Sequence, residues 1–254
     1  MIIAILQARV GSTRLPGKVL KIIQNKTILE LIIERVQQST LVDKIVVATT
    51  DNKKDDEILE ICEKLGIESF RGSEEDVLDR FYQCSVLHKP DLIIRLTSDC
   101  PLIDPYHIDR LIQYSLDHKN EFDYFSNCRE PTLPDGLDVE VIPFETLERA
   151  WNEAKKPYER EHVSPYIYLN PNLFKIASYK NPDDYSHHRW TLDTSEDFEF
   201  IKSIYSHFVG KKQQFFYLDD IIEYLKQNPD IYSINAGYKR DEKFRKQLRE
   251  NKEK

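Results

Sequence analysis

Apolar residues along this chain fall into short unbroken runs and helical stripes, and the two alternate. Ile2-Ile3-Ala4-Ile5-Leu6 is an apolar run of strand length, which predicts a buried strand. Ile28, Leu29, Ile32, Ile33 and Val36 recur at helical spacing, and Lys44 to Ala48 follows as a second strand. Ile58, Ile61, Cys62 and Leu65 mark one helix face, which Gly66 ends. Ile67 to Phe70 predicts a short strand, Val77 to His88 a helix, and Asp91 to Leu96 another strand. Asp104 and Pro105 open a helix running to about Asp117. This order predicts an α/β fold: a mostly parallel sheet flanked by helices on both faces, a Rossmann-like three-layer sandwich.

After about residue 122 the alternation breaks. Tyr124–Asn127, Val139–Ile142 and Phe174–Ser178 predict strands, while Phe144–Ala154, Ser195–His207 and Leu218–Gln227 predict helices. The expected organisation is one domain over 1–238. Its first half, 1–122, would bind an anionic ligand, and 123–238 would complete the sheet and hold a second substrate. The charged tail 239–254 is expected to fray.

Ligands of such sheets bind beyond the carboxyl ends of the strands. There the first strand runs into Gln7-Ala8-Arg9-Val10-Gly11-Ser12-Thr13-Arg14-Leu15-Pro16-Gly17-Lys18. Arg9, Arg14 and Lys18 can contact several phosphate oxygens together, Gly11 and Gly17 let the backbone approach, and Ser12 and Thr13 can donate. The loop is neither a Walker A sequence nor a dinucleotide fingerprint. With 36 Lys and Arg against 44 Asp and Glu, the chain is acidic. Three cations in one loop are thus a local concentration, and the net charge of −8 argues against a broad nucleic-acid surface. Cys62, Cys84, Cys100 and Cys128 form no CxxC pair and read as reduced thiols of a cytoplasmic protein. No run is long enough to span a membrane, and the N-terminus reads as a strand and not a signal peptide.

Four further clusters carry possible chemistry. In Thr97-Ser98-Asp99-Cys100-Pro101, Asp99 emerges at a strand end, where a carboxylate can hold Mg²⁺ against a polyphosphate. Asp104 is the better helix cap. In Arg189 to Phe198, Thr194 or Ser195 caps a helix whose first turn holds Glu196 and Asp197. Asp193 is left over, and by itself it reads as structural. Asp138 and Glu140 alternate along a predicted strand and would share a face, suiting sugar hydroxyls, a metal or plain solvent equally. His162 could meet a substrate, although a lone histidine is more often structural.

Taken together, Ile5–Lys18, Thr97–Asp104, Pro134–Val141, Glu161–Tyr168 and Arg189–Asp197 resemble the cytidylyltransferases that activate sialic-acid-like and 3-deoxy-octulosonate sugars. The branch named after spore coat polysaccharide biosynthesis protein F is the most similar. The resemblance covers about residues 1–225. It implies a GT-A-like nucleotidyltransferase fold, CTP as donor, Mg²⁺ as cofactor and a homodimer, with no nucleic-acid or membrane partner. It also implies that Arg9, Arg14 and Lys18 hold the CTP phosphates. Gln7, Ala8, Gly11, Ser12 and Thr97 would line the rest of the nucleotide. Asp99 and Asp193 would bind the metal, which lifts Asp193 above its reading in isolation. Lys18, Arg14 and Asp99 are the expected catalytic groups, and Asp138, Glu140, His162 and Arg189 the expected acceptor contacts. The Asp135–Glu140 segment differs from the sugar-acid-activating enzymes, so the resemblance does not carry over an acceptor.

Other readings are a GT-A glycosyltransferase, a uridylyl- or thymidylyltransferase acting on a sugar phosphate, and a non-catalytic nucleotide-binding protein. Ser98-Asp99-Cys100 stands where the first of these would carry Asp-x-Asp.

Overall fold

The computed structural model describes residues 1–119, 121–213, 215–238 and 240. Of the predicted tail, all but Arg240 lies outside them. The chain order is β1 (Ile2–Gln7), β2 (Ile22–Ile23), β3 (Lys26–Thr27), α1 (Ile28–Val36), β4 (Lys44–Thr50), α2 (Asp56–Leu65), β5 (Glu68–Gly72) and α3 (Val77–His88). It continues with β6 (Leu92–Thr97), α4 (Pro105–Asp117), β7 (Tyr124–Ser126), β8 (Glu140–Pro143), α5 (Phe144–Glu153), α6 (Pro157–His162) and α7 (Pro165–Tyr168). β9 (Ile176–Ser178), α8 (Ser195–Gly210), α9 (Leu218–Gln227) and α10 (Pro229–Ser233) complete the described elements.

Seven strands form one sheet in the order β5-β4-β1-β6-β8-β7-β9, and β2 pairs with β3 apart from it. All pairings in the large sheet are parallel except those of β8, which runs against β6 and β7. Successive residues of β1 face opposite sides, as a strand's period of two requires. Ala4 and Leu6 join a core with α1, α4 and α8 through Ile32, Ile108 and Phe200. Ile3 and Ile5 join a second core with α3 and α5 through Leu78, Phe81 and Leu147. Each such side chain, removed from water, contributes about 1.5–3 kcal/mol. That is why the central strands tolerate almost no polar residue.

Local chemistry sets the helix ends. Thr27 and Glu30 form a reciprocal cap on α1, and Gly66, at φ +65°, ends α2. Asp104 caps α4 ahead of Pro105, as expected. Thr194 caps α8 by accepting from the Asp197 amide.

The antiparallel course of β8 positions the site. Its first residue, Glu140, pairs in register with Arg95, and Gln7 pairs with Thr97. A distant part of the chain therefore reaches the edge where β1 and β6 end. One expectation is corrected here: Asp138 is not on a strand, because β8 begins at Glu140. The Asn127 side chain takes the place of a strand partner, donating to Leu137 O at 2.6 Å and accepting from Val139 N at 2.9 Å. Likewise the predicted strand from Phe174 starts only at Ile176.

Candidate active site

Three chain segments converge on Lys18. The loop after β1 is held by Ala8 N donating to Ala48 O at 3.1 Å and by Val10 N donating to the Asp55 carboxylate at 2.7 Å. Gly17, at φ +66°, makes the left-handed turn that precedes Lys18. The Lys18 ammonium donates to Asp99 Oδ2 at 3.1 Å, to Leu192 O at 2.8 Å and to Asp193 Oδ1 at 2.8 Å. All three of its donors are thereby used. Arg14 meets the other oxygen of Asp193 at 2.7 Å. Thr97 Oγ1 donates to Asp99 Oδ1 at 2.5 Å. The segment carrying Asp193 is tied to Asp99 by Leu192 N donating to Asp99 O at 2.7 Å.

Burial works against ionising Asp99, but Lys18 and Thr97 outweigh it and hold the carboxyl down at about 2. Burial also disfavours the Lys18 ammonium, yet Asp99 and Asp193 raise its pKa above the ordinary lysine value. At neutral pH Asp99 is therefore a carboxylate facing the Lys18 ammonium.

This arrangement tests whether a divalent cation fits. Asp99 and Asp193 already share one cation, so their oxygens converge. Among the described residues no group of three or more His, Cys, Asp or Glu could hold a metal. An ion here would complete its shell from phosphate oxygens and water, which suits Mg²⁺ rather than an all-protein cage.

Beneath the cluster, Asp197 is fully buried and accepts from Arg189 Nε and Nη2, both at 2.8 Å. It also accepts from Asn235 Nδ2 at 2.8 Å and from the Asp193 and Thr194 amides at 2.9 and 3.0 Å. Asp135 meets Arg189 at 3.2 Å. Arg189, expected to touch the acceptor, is therefore committed to orienting the Asp193 segment. Gly136 is required at φ +113°: a Cβ there would lie 2.6 Å from the Thr191 nitrogen.

On the other face of the sheet, Arg95 donates to Glu140 at 2.6 Å and to Gln7 Oε1 at 3.0 Å. Glu140, expected to touch the acceptor, is buried and also accepts from Tyr124 and Ser164, each at 2.7 Å. Asp138 pairs with Arg240, and His162 is half-buried near Glu161 at the end of α6. Arg9 lies 3.3 Å from Glu74. Beside it is the buried Arg80, whose pKa falls to about 10 through burial and through Arg9. Ala8 is buried, and Gly11 has room for an ordinary contact with Glu74. Ser12 Oγ accepts from Leu15 N at 3.4 Å and shapes the loop.

The cytidylyltransferase family model matches residues 3–235. The chain belongs to the cytidylyltransferase family. An uncharacterized protein of Methanocaldococcus jannaschii is 45% identical, over 93% of this chain and 95% of its own. The spore coat polysaccharide biosynthesis protein SpsF of Bacillus subtilis is 37% identical, over 90% and 95% respectively. The structure of a cytidylyltransferase from Leptospira borgpetersenii superposes with a TM-score of 0.86 at 38% identity, covering 91% of this chain and 96% of that one.

In this member of the family Arg14, Lys18, Thr97, Asp99 and Asp193, all expected from the sequence, come together in one cluster. Arg9 faces a separate patch with Arg80 and Glu74, and Gln7 faces Arg95. Arg80, Arg95 and Asn235 were not anticipated. A charged residue inside the apolar run Leu92–Leu96 was the available signal for Arg95. Asn235 had none, because its partner Asp197 is 38 residues away. All four cysteines are unpaired, and no described helix is long and apolar enough to cross a membrane.

Proposed function

We propose that this protein transfers CMP from CTP to a sugar or sugar acid and releases pyrophosphate, in the synthesis of a surface polysaccharide. The observation that carries the reading is the Lys18 ammonium held between Asp99 and Asp193, with Arg14 on the same carboxylate. A triphosphate brings the negative charge that this cation set can neutralise, and the two carboxylates are the part of the cleft suited to Mg²⁺. Bound there, Mg²⁺ would polarise the α-phosphate and lower the cost of charge developing on it.

The chain's own residues do the rest by position and charge. Lys18 and Arg14 neutralise the departing pyrophosphate. The loop amides and Ser12 surround the nucleotide. Asp138, which pairs with Arg240, and His162, beside Glu161, are proposed to meet the acceptor, while Glu140 and Arg189 position their neighbours. The likeness to SpsF supports a polysaccharide role. The test is pyrophosphate release from CTP and Mg²⁺ across a panel of sugars and sugar acids. Asp99→Asn should cut turnover at least ~100-fold, the scale of losing one key electrostatic group. Near-normal turnover by that variant would remove Asp99 from the chemistry.

A further inference from the structure

We propose that a cavity between α1, α8 and the β2–β3 hairpin binds a small carboxylate with a flat apolar body. The inference is independent of the nucleotide reading above. The cavity holds about 260 Å³, close to the lower end of the ~300–1,000 Å³ usual for small-molecule pockets. Leu31, Tyr205, Val209 and Phe215 form its apolar walls, and the hairpin closes one side with Gln24 and Lys26. Lys26 and Glu34 cancel one another as an ion pair at 2.6 Å. Arg35 and Lys212 also line the cavity and leave it positive. Tyr205 and Val209 lie in the final turns of α8, whose cap Thr194 adjoins Asp193. That helix rises about 15 Å from Ser195 to Tyr205, so the cavity stands apart from the Lys18 cluster.

Arg35 calls for an anion. It is 3% exposed, and its guanidinium lies 4.9 Å from the Phe216 ring. Nε donates to Ile103 O at 2.6 Å and Nη2 to Phe216 O at 2.7 Å. The Tyr205 hydroxyl donates to Pro101 O at 2.7 Å, so its oxygen can accept a third of the five guanidinium N–H groups. Among the described residues nothing uses the remaining two, and no carboxylate forms an ion pair with Arg35. Asp104, which feels its charge, already accepts from the Tyr106 and Leu218 amides at 2.9 and 3.0 Å. Carbonyls satisfy donors but bring no net charge to offset a cation withdrawn from water, and arginine is almost never fully buried unless paired. A carboxylate is planar and matches the guanidinium edge. The Tyr205 and Phe215 rings suit a flat apolar group attached to it. A bare inorganic anion would leave those walls unfilled, and a neutral molecule would leave Arg35 uncompensated.

The experiment titrates the full chain with phenylacetate and with its neutral counterpart phenylacetamide, reading dissociation constants by ligand-observed NMR. The acid should bind saturably and at least ~10-fold more tightly than the amide, the scale of one hydrogen bond to a charged group. Val209 is 40% exposed, so Val209→Glu should fold while setting a like charge on the cavity wall. It should weaken the acid at least ~10-fold. Arg35→Met should bring acid and amide to the same affinity. A thermal melt confirms that each variant is folded, and Val209→Glu decides the matter alone if Arg35→Met is not. Failure of the acid to saturate, or equal wild-type affinities for acid and amide, would overturn the inference. So would acid binding unchanged in folded Val209→Glu, which would put the acid elsewhere, such as on the cationic loop after β1.

Discussion

Replacing Asp197 by alanine removes the acceptor that five N–H groups share. Arg189 is 8% exposed and would keep, as carboxylate partners among the described residues, Asp135 at 3.2 Å and, more distantly, Asp193 at 3.8 Å. Stranding one member of a buried ion pair costs about 3–5 kcal/mol. The Asn235 amide loses one of its two acceptors, which adds on the order of 1 kcal/mol. A loss of about 5 kcal/mol would be a large part of the 5–15 kcal/mol typical of a whole domain. At about 2 °C per kcal/mol for a chain of this size, Tm should drop by about 10 °C. The assay is urea unfolding followed by tryptophan fluorescence, for which Trp190 is a fully buried reporter in the affected segment. Arg189→Met combined with Asp197→Leu removes both charges and should recover most of the loss. A single variant within 1 kcal/mol of wild type would refute the view that this pair supports the segment carrying Asp193.

Three further outcomes are expected. The folded-state pKa of Asp99, about 2, and that of Asp197, also depressed, lie below unfolded values near 4. Their stabilisation is therefore present above about pH 4 and lost as pH falls toward 2. Urea unfolding across that window should show a shallower loss for Asp99→Asn, and an unchanged slope would count against the Lys18 contact. Gly136→Ala should cost at least ~3 kcal/mol and disturb Asp193, since the new Cβ meets backbone and not a yielding side chain; a stability near wild type in the same melt would exclude this. Lys18→Met should weaken binding of CTP with Mg²⁺ at least ~10-fold, the scale of one charge-assisted contact. An unchanged dissociation constant in calorimetry would take Lys18 away from the phosphates.

Much of the fold was legible because β1, β4 and β6 are buried on both faces and so read as apolar runs. The direction of β8 was not, since four residues with an apolar middle look the same either way, and only the pairing of Arg95 with Glu140 reveals it. The β2–β3 hairpin escaped notice because its turn uses Gln24 and Asn25 at positive φ, without the glycine that normally signals such a turn. In the site, the Arg9–Lys18 loop announced itself by charge density. Asp193 did not, because its meaning depends on Lys18, 175 residues away. Glu140 and Arg189 looked like surface chemistry, but their partners come from other strands and turns that no local pattern records. Only the family resemblance supplied Asp193 at the sequence level.

Asn235 donates to the Arg189 carbonyl and to Asp197, and it lies beyond every strand of the sheet. A nascent chain emerging from the ribosome can thus assemble its scaffold before the support under Asp193 is whole. Interrupted synthesis, or proteolytic clipping just ahead of residue 235, should yield a folded species in which the segment carrying Asp193 is held less firmly. Quality-control systems that sense exposed apolar surface would have little by which to recognise it.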